Sequence, residues 1–231
     1  MDIKKYKFRT ELHAHTSPAS PCGDFTPDEV VAKYAALAYD SIVITNHFYP
    51  KMRFCDDKEK CIAEYLKDYN EAVKAGEERG INIILGCEIR FTENFNDYLL
   101  FGITPDTLDM AFDYIDEGLE SFSKVFRGND TVLVQAHPFR DRCVPAAPEL
   151  LDGVEVFNLH PGQNSRVGVT AKFAKEHNLI ATSGTDFHHE GHEGMTALLT
   201  AEEMKTSADI ARVLKSGDYL IEIGGTVVKC K

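Results

Sequence analysis

Three features of the sequence predict an α/β fold on a mainly parallel sheet that can close into a (β/α) barrel. Short apolar runs of four to six residues alternate with helical patterns along the chain. Many of these runs end in histidine, glutamate or aspartate. No linker, low-complexity stretch or charge block divides the 231 residues, so a single domain is expected.

The elements follow in order. Lys5 to Leu12 reads as a strand, and His13 and His15, two residues apart, fall on one side of it. Thr26-Pro27-Asp28-Glu29 is a helix start with a capping box, and Val30, Val31, Tyr34, Ala35 and Leu37 form its apolar face, giving a helix over about 27–38. Ser41 to Thr45 is a β-branched strand ending in Asn46-His47. A helix over Lys58 to Arg79 stops at Gly80, and a strand over Ile81 to Leu85 ends in Gly86-Cys87-Glu88. Tyr98 to Ile103 is a strand, and a helix opened by Thr104-Pro105 is expected to run to about Phe126. Strands at 131–135, 153–157 and 179–182 precede Ala136-His137-Pro138, Asn158 with His160, and Ser183-Gly184-Thr185-Asp186-Phe187-His188. A helix over 165–176, a last helix over 207–215 and a strand over 219–223 complete the pattern.

Composition bounds the function. A net charge of −12 argues against a broad electrostatic grip on extended nucleic acid. The six cysteines show no C-x-x-C pair and the N-terminus no apolar signal region, so a cytoplasmic protein with reduced thiols is expected. No apolar run approaches the ~20 residues of a membrane span.

His13, His15, His47, His137 and His188 lie at or just past predicted strand ends, as do Glu88 and Asp186. In a parallel barrel those ends share one face, where active sites assemble from distant residues. These side chains exceed what one tetrahedral ion can use, so two or three divalent ions (Zn, Mn or Fe) are implied. Closely spaced ions suit phosphate ester hydrolysis by metal-activated hydroxide.

With these residues in view, the chain resembles the PHP (polymerase and histidinol phosphatase) superfamily. The resemblance rests on five ordered motifs: His13-Ala-His15-Thr16, Thr45-Asn-His47, Gly86-Cys-Glu88, Ala136-His137-Pro138 and Gly184-Thr-Asp186-Phe-His188. It spans about 8–192, with the C-terminal helix and strand completing the domain over 1–231. It implies a distorted (β/α)7 TIM-like barrel and a histidinol phosphatase-like metallophosphoesterase site. By the same resemblance His13, His15, Glu88 and Asp186 would hold a first ion, Glu88 and His137 a second, and His47 and His188 a third. Asp97 falls where the family often has a further histidine ligand; the alternative is a solvated loop carboxylate. Two departures stand out: Cys22 and Asp24 occupy the stretch where the family usually has an acid, and Asn46 stands where aspartate is more usual.

His160 is the candidate acid for the leaving group, and Arg90 and Arg140 are candidate phosphate donors, with Arg53, Arg142 and Arg166 further off. Glu155 alternates with Val154 and Val156, which directs it inward to support a ligating histidine. The expected partner is a small phosphorylated substrate or nucleotide, with oligomeric state left open. Two other readings stand beside this one: a metal-dependent amidohydrolase, for which no bridging lysine follows a strand, and a non-catalytic, metal-stabilised interaction module.

Overall fold

The computed structural model describes residues 2–50 and 56–230, with Arg53 outside the described residues. Its strands are β1 (Phe8–Ala14), β2 (Ser41–Ile44), β3 (His47–Phe48), β4 (Asn82–Leu85), β5 (Cys87–Arg90), β6 (Asp97–Phe101), β7 (Val132–Gln135), β8 (Gly153–Asn158), β9 (Ile180–Gly184), β10 (Thr196–Thr200), β11 (Leu220–Ile223) and β12 (Thr226–Val228). Its helices are α1 (Pro27–Ala36), α2 (Lys58–Arg79), α3 (Pro105–Asp113), α4 (Gly118–Phe126), α5 (Val167–Glu176) and α6 (Ser207–Ser216). Local chemistry sets their ends. Thr26 and Glu29 close the expected capping box of α1, and Gly80 ends α2 at φ +70°.

The strands form two six-stranded sheets, ordered β12-β11-β10-β1-β2-β4 and β3-β5-β6-β7-β8-β9. Pairing among the described residues does not close them into one barrel, and the sheet is mixed where a mainly parallel one was expected. The β6 strand runs antiparallel to both β5 and β7, and β10 runs antiparallel to β1. One apolar cluster nevertheless draws on both sheets: Leu12, Val43 and Ile84 pack with Leu99, Val134 and Ile180, and α6 covers them with Ile210 and Leu214.

The helix expected from 104 to about 126 is broken. Gly118 starts α4 at φ +81°, a conformation that disfavours a side chain, and a Cβ there would lie 2.3 Å from the Glu93 carboxylate. Glu93 instead accepts a hydrogen bond from the Leu119 amide at 3.2 Å, anchoring the second helix as a separate element. The expectation of uniformly reduced thiols is also corrected: Cys61 is disulfide-bonded, while Cys22, Cys87, Cys143 and Cys230 are free. No helix among the described residues is long and apolar enough to cross a membrane.

Candidate metal centre

The topology carries the candidate ligands to one end of the strands. His13 is the penultimate residue of β1, His137 and Asp186 each follow a strand by two positions, and Glu88 lies within β5. Asp97 opens β6, and because β6 is antiparallel its start lies where its neighbours end, opposite Arg90 of β5. His13, His15, Glu88, Asp97, His137, Asp186 and His188 are all buried, and His47 is partly buried.

Three groups within this cluster have ligand atoms lying within 4.8 Å of one another: His13, His15 and Glu88; Glu88, Asp97 and His137; and His15, His47 and His188. Glu88 is common to the first two. Its Oε1 lies 3.3 Å from Nε2 of both His13 and His137, and its Oε2 lies 3.5 Å from His15 Nε2 and 2.5 Å from His47 Nδ1. Asp186 Oδ1 approaches His15 Nε2 and His13 Nε2 at 3.3 and 3.4 Å.

The surrounding hydrogen bonds fix the orientation of the rings. His13 Nδ1 lies 2.8 Å from Glu155 Oε1, an acceptor, so this nitrogen donates and Nε2 is the ring nitrogen turned towards Glu88. Ser20 gives its hydroxyl proton to Asn46 Oδ1 at 3.0 Å, so His15 Nδ1 donates to Ser20 Oγ and the Nε2 of this neutral ring is a lone pair. His188 Nδ1 donates to the Asp186 carbonyl at 2.7 Å. Imidazole nitrogens and carboxylate oxygens therefore face one another, and both oxygens of the fully buried Glu88 lie against histidine nitrogens. Such an arrangement needs positive charge in its midst, and its imidazole and carboxylate donors fit divalent metal ions.

In the metal-free chain protons supply that charge. Burial pushes the His13 imidazole down, but Glu155, Asp186 and Glu88 outweigh it and hold the ring well above the ordinary value. The same contest, won mainly by Glu88, raises His47 to about 9, and hydrogen bonds to Cys143 and Glu88 help raise His137 to about 10. Burial alone would raise Glu88, yet the neighbouring His47 and His13 hold it well below the usual carboxylate range. His15 is driven down by burial and by His188 and His47, so it stays neutral and ready to bind.

The sign of the pH effect follows. These raised histidines contribute stability to the metal-free protein that is full below pH 6.5 and lost as the pH climbs through about 9 for His47 and about 10 for His137. A cation must displace their protons. Loading with Zn or Mn is therefore expected to release protons into a weakly buffered solution, and the metal-induced rise in Tm to grow between pH 6.5 and about 9. A gain independent of pH would mean that the ions bind elsewhere.

The remaining candidates sort by contact. Glu155 supports the centre as expected, accepting from His13 Nδ1 and, at 3.1 Å, from the His137 amide. Glu155→Gln is expected to weaken metal affinity 10–100-fold, measured by competition with a chromogenic chelator, because it loosens two candidate ligands together. Asn46 accepts from the Thr16 amide at 2.7 Å and from Ser20, so it braces the loop that presents His15. Arg90 grips Asp97 through two 2.6 Å bonds, and Asp97 is a buried carboxylate, which removes the solvated-loop alternative. Arg140 bonds Asp186 at 2.6 Å and Asn158 at 2.7 Å while its buried Nε has no partner. Arg142 lies over Phe95 and Arg166 binds Asp141 and Phe139, both away from the cluster. Asp24 likewise turns outward to His189 at 2.8 Å, whereas Cys22 meets His47 at 3.1 Å.

A cavity of about 490 Å³ opens onto the cluster, lined by His47, Arg90, Asp97, His137, Arg140 and His160 among others. A larger one of about 780 Å³, walled by α2, shares His47 but none of the other clustered ligands. His160 accepts from the Gly162 amide at its Nδ1, leaving Nε2–H as a donor, and burial lowers its pKa to about 4. Sequence patterning did not single out Tyr49, whose hydroxyl touches His47 and whose ring stacks under Arg90. It lies two residues past His47, beyond the strand and motif signals.

The model of the PHP domain matches residues 11–225. The chain belongs to the PHP domain family. Solved structures agree in fold. A two-domain protein from Bacteroides vulgatus, containing a predicted PHP-like metal-dependent phosphoesterase, is 17% identical with a TM-score of 0.61, over 96% of this chain and 67% of that one. A protein from Bifidobacterium adolescentis, also predicted to be a metal-dependent phosphoesterase, is 19% identical with a TM-score of 0.51, over 79% and 88%. An amidohydrolase from Chromobacterium violaceum, with bound sulfate and no metal, is 19% identical with a TM-score of 0.54, over 80% and 89%. No curated protein matches the chain. The buried His, Glu and Asp groups of this PHP chain are consistent with a site for more than one metal ion.

Proposed function

We propose that this PHP protein is a metal-dependent phosphoesterase acting on a small phosphate ester or nucleotide. The observation that carries the reading is the fully buried Glu88 carboxylate, ringed by nitrogens of four histidines. In this reading His13, His15, Glu88 and Asp186 hold one ion, Glu88, His137 and Asp97 a second, and His47 and His188 contribute to a third. Ions so held supply water activation near neutral pH and positive charge for the phosphoryl transition state.

The chain's own groups do the rest. Arg140 orients Asp186 through Nη2, and its guanidinium lines the cavity as positive charge for a phosphate oxygen. Arg90 is committed to Asp97 through Nε and Nη2, so its main task is to hold that carboxylate in place. His160 offers its Nε2–H from the cavity wall to a phosphate or leaving-group oxygen. A cavity of about 490 Å³ suits a small molecule, and the net charge of −12 weighs against extended nucleic acid. No lysine lines it among the described residues, which weighs against the amidohydrolase reading.

The test pairs elemental analysis of tag-free protein with hydrolysis of a generic aryl phosphate, with and without added Mn or Zn. Two or more ions per chain with metal-dependent turnover is the expected result. Bound metal without turnover of any phosphate ester would favour the non-catalytic module, and absence of metal would overturn the centre.

A further inference from the structure

We propose that Cys22 is a metal ligand, its thiolate joining His47 and His188 to hold one ion of the cluster. The inference rests on the metal-centre reading above and adds to it a soft donor. Cys22 Sγ lies 3.1 Å from His47 Nε2, and the His188 ring lies beside that of His47, with centroids 5.7 Å apart. The two nitrogens of His47 face different neighbours: Nδ1 meets Glu88 at 2.5 Å, and Nε2 meets the sulfur. An ion beside Nε2 and the sulfur therefore occupies a position separate from one bound between Glu88 and His13.

The loop holding the sulfur there is built, not slack. Ser20 Oγ accepts from the His47 amide at 2.9 Å and contacts His15. The Gly23 amide donates to the Ser20 carbonyl at 2.9 Å, and the Asp24 amide to the His188 carbonyl at 2.9 Å. Cys22 is thus tied on both sides to the residues that flank the site. Asp24, the other group able to supply a negative donor, is engaged by His189 instead.

Ligation breaks the S–H bond, passes the proton to solvent and forms a metal–sulfur bond, with no change of oxidation state. A thiolate among imidazoles shifts preference towards Zn(II) and Co(II) and away from Mn(II) and Mg(II) at this position.

The test titrates metal-free full-length protein with Co(II), recording spectra of wild type, Cys22→Ser and Cys143→Ser. Cys143 is included because its sulfur lies 3.8 Å from His137 Nδ1. The expected result is a near-ultraviolet thiolate-to-cobalt charge-transfer band in wild type and Cys143→Ser, absent from Cys22→Ser, which still shows the visible ligand-field bands. In the wild type, cobalt is also expected to slow alkylation of Cys22 by iodoacetamide about tenfold or more, followed by peptide mapping. Ligand-field absorption without the charge-transfer band or protection of Cys22 overturns this inference and leaves the metal centre standing. A band lost only in Cys143→Ser overturns it as well. Failure of the wild type to bind cobalt overturns both readings together.

Discussion

Glu88→Gln is expected to abolish the metal centre and to lower phosphate ester hydrolysis about a thousandfold, the loss of several kcal/mol of charge stabilisation. The substitution keeps the volume and shape of the side chain, so packing around β5 is conserved. What changes is charge. Among the described residues, Glu88 is the one carboxylate that approaches all of His13, His15, His47 and His137, and its negative charge is what they share. An amide there offers one oxygen and a pair of N–H donors, which oppose a cation. The measurement is metal content together with the metal-induced rise in Tm, which should vanish in the variant because only binding to the native state produces it. A variant that retains full metal content and turnover would remove Glu88 from the centre and leave its burial unexplained.

Gly184→Ala is expected to destabilise the protein by about 3 kcal/mol, a fall in Tm of roughly 6 to 12 °C for a chain of this size. The new Cβ would land 2.3 Å from the His13 Cβ and 2.6 Å from Glu155 Oε1. Neither neighbour can retreat cheaply. His13 is held between Glu155 and the Glu88 group, and Glu155 also accepts from the His137 amide and from Asn158 at 2.9 Å. Relief of the clash therefore has to move β9 away from β1 or disturb the support of two candidate ligands. Thermal melts of metal-free protein read the first effect and chelator competition the second. Unchanged stability with unchanged metal affinity would show that the strands separate there at no cost.

Backbone conformation at the site points the same way. His137 and Asp186 adopt positive φ values of 32° and 52°, which cost a non-glycine residue of order 1 kcal/mol or more each. Both are candidate ligands directly after a strand, where the chain turns sharply to aim the side chain inward.

Much of this site was legible along the chain. The pairing of His13 with His15, the placement of His47, His137 and His188 after apolar runs, and the inward alternation of Glu155 all depend on local periodicity, which a sequence carries directly. Helix ends with explicit capping chemistry, at Thr26 and Gly80, were legible for the same reason. Elements shorter or less regular than their signals were not: β3 has two residues, β5 continues almost directly from β4, and Gly118 splits a helical pattern that looks continuous.

The sequence by itself determined which donor types this chain carries and that strand ends would present them. The tertiary structure decided which of them meet. An antiparallel β6 brings Asp97 to the same end as His137, Arg90 and Arg140 prove committed to carboxylates, and the loop after β1 delivers Cys22 to His47 while Asp24 turns away. Strand direction, loop closure and the competition among buried charges depend on contacts between residues far apart in the chain. No local pattern encodes them.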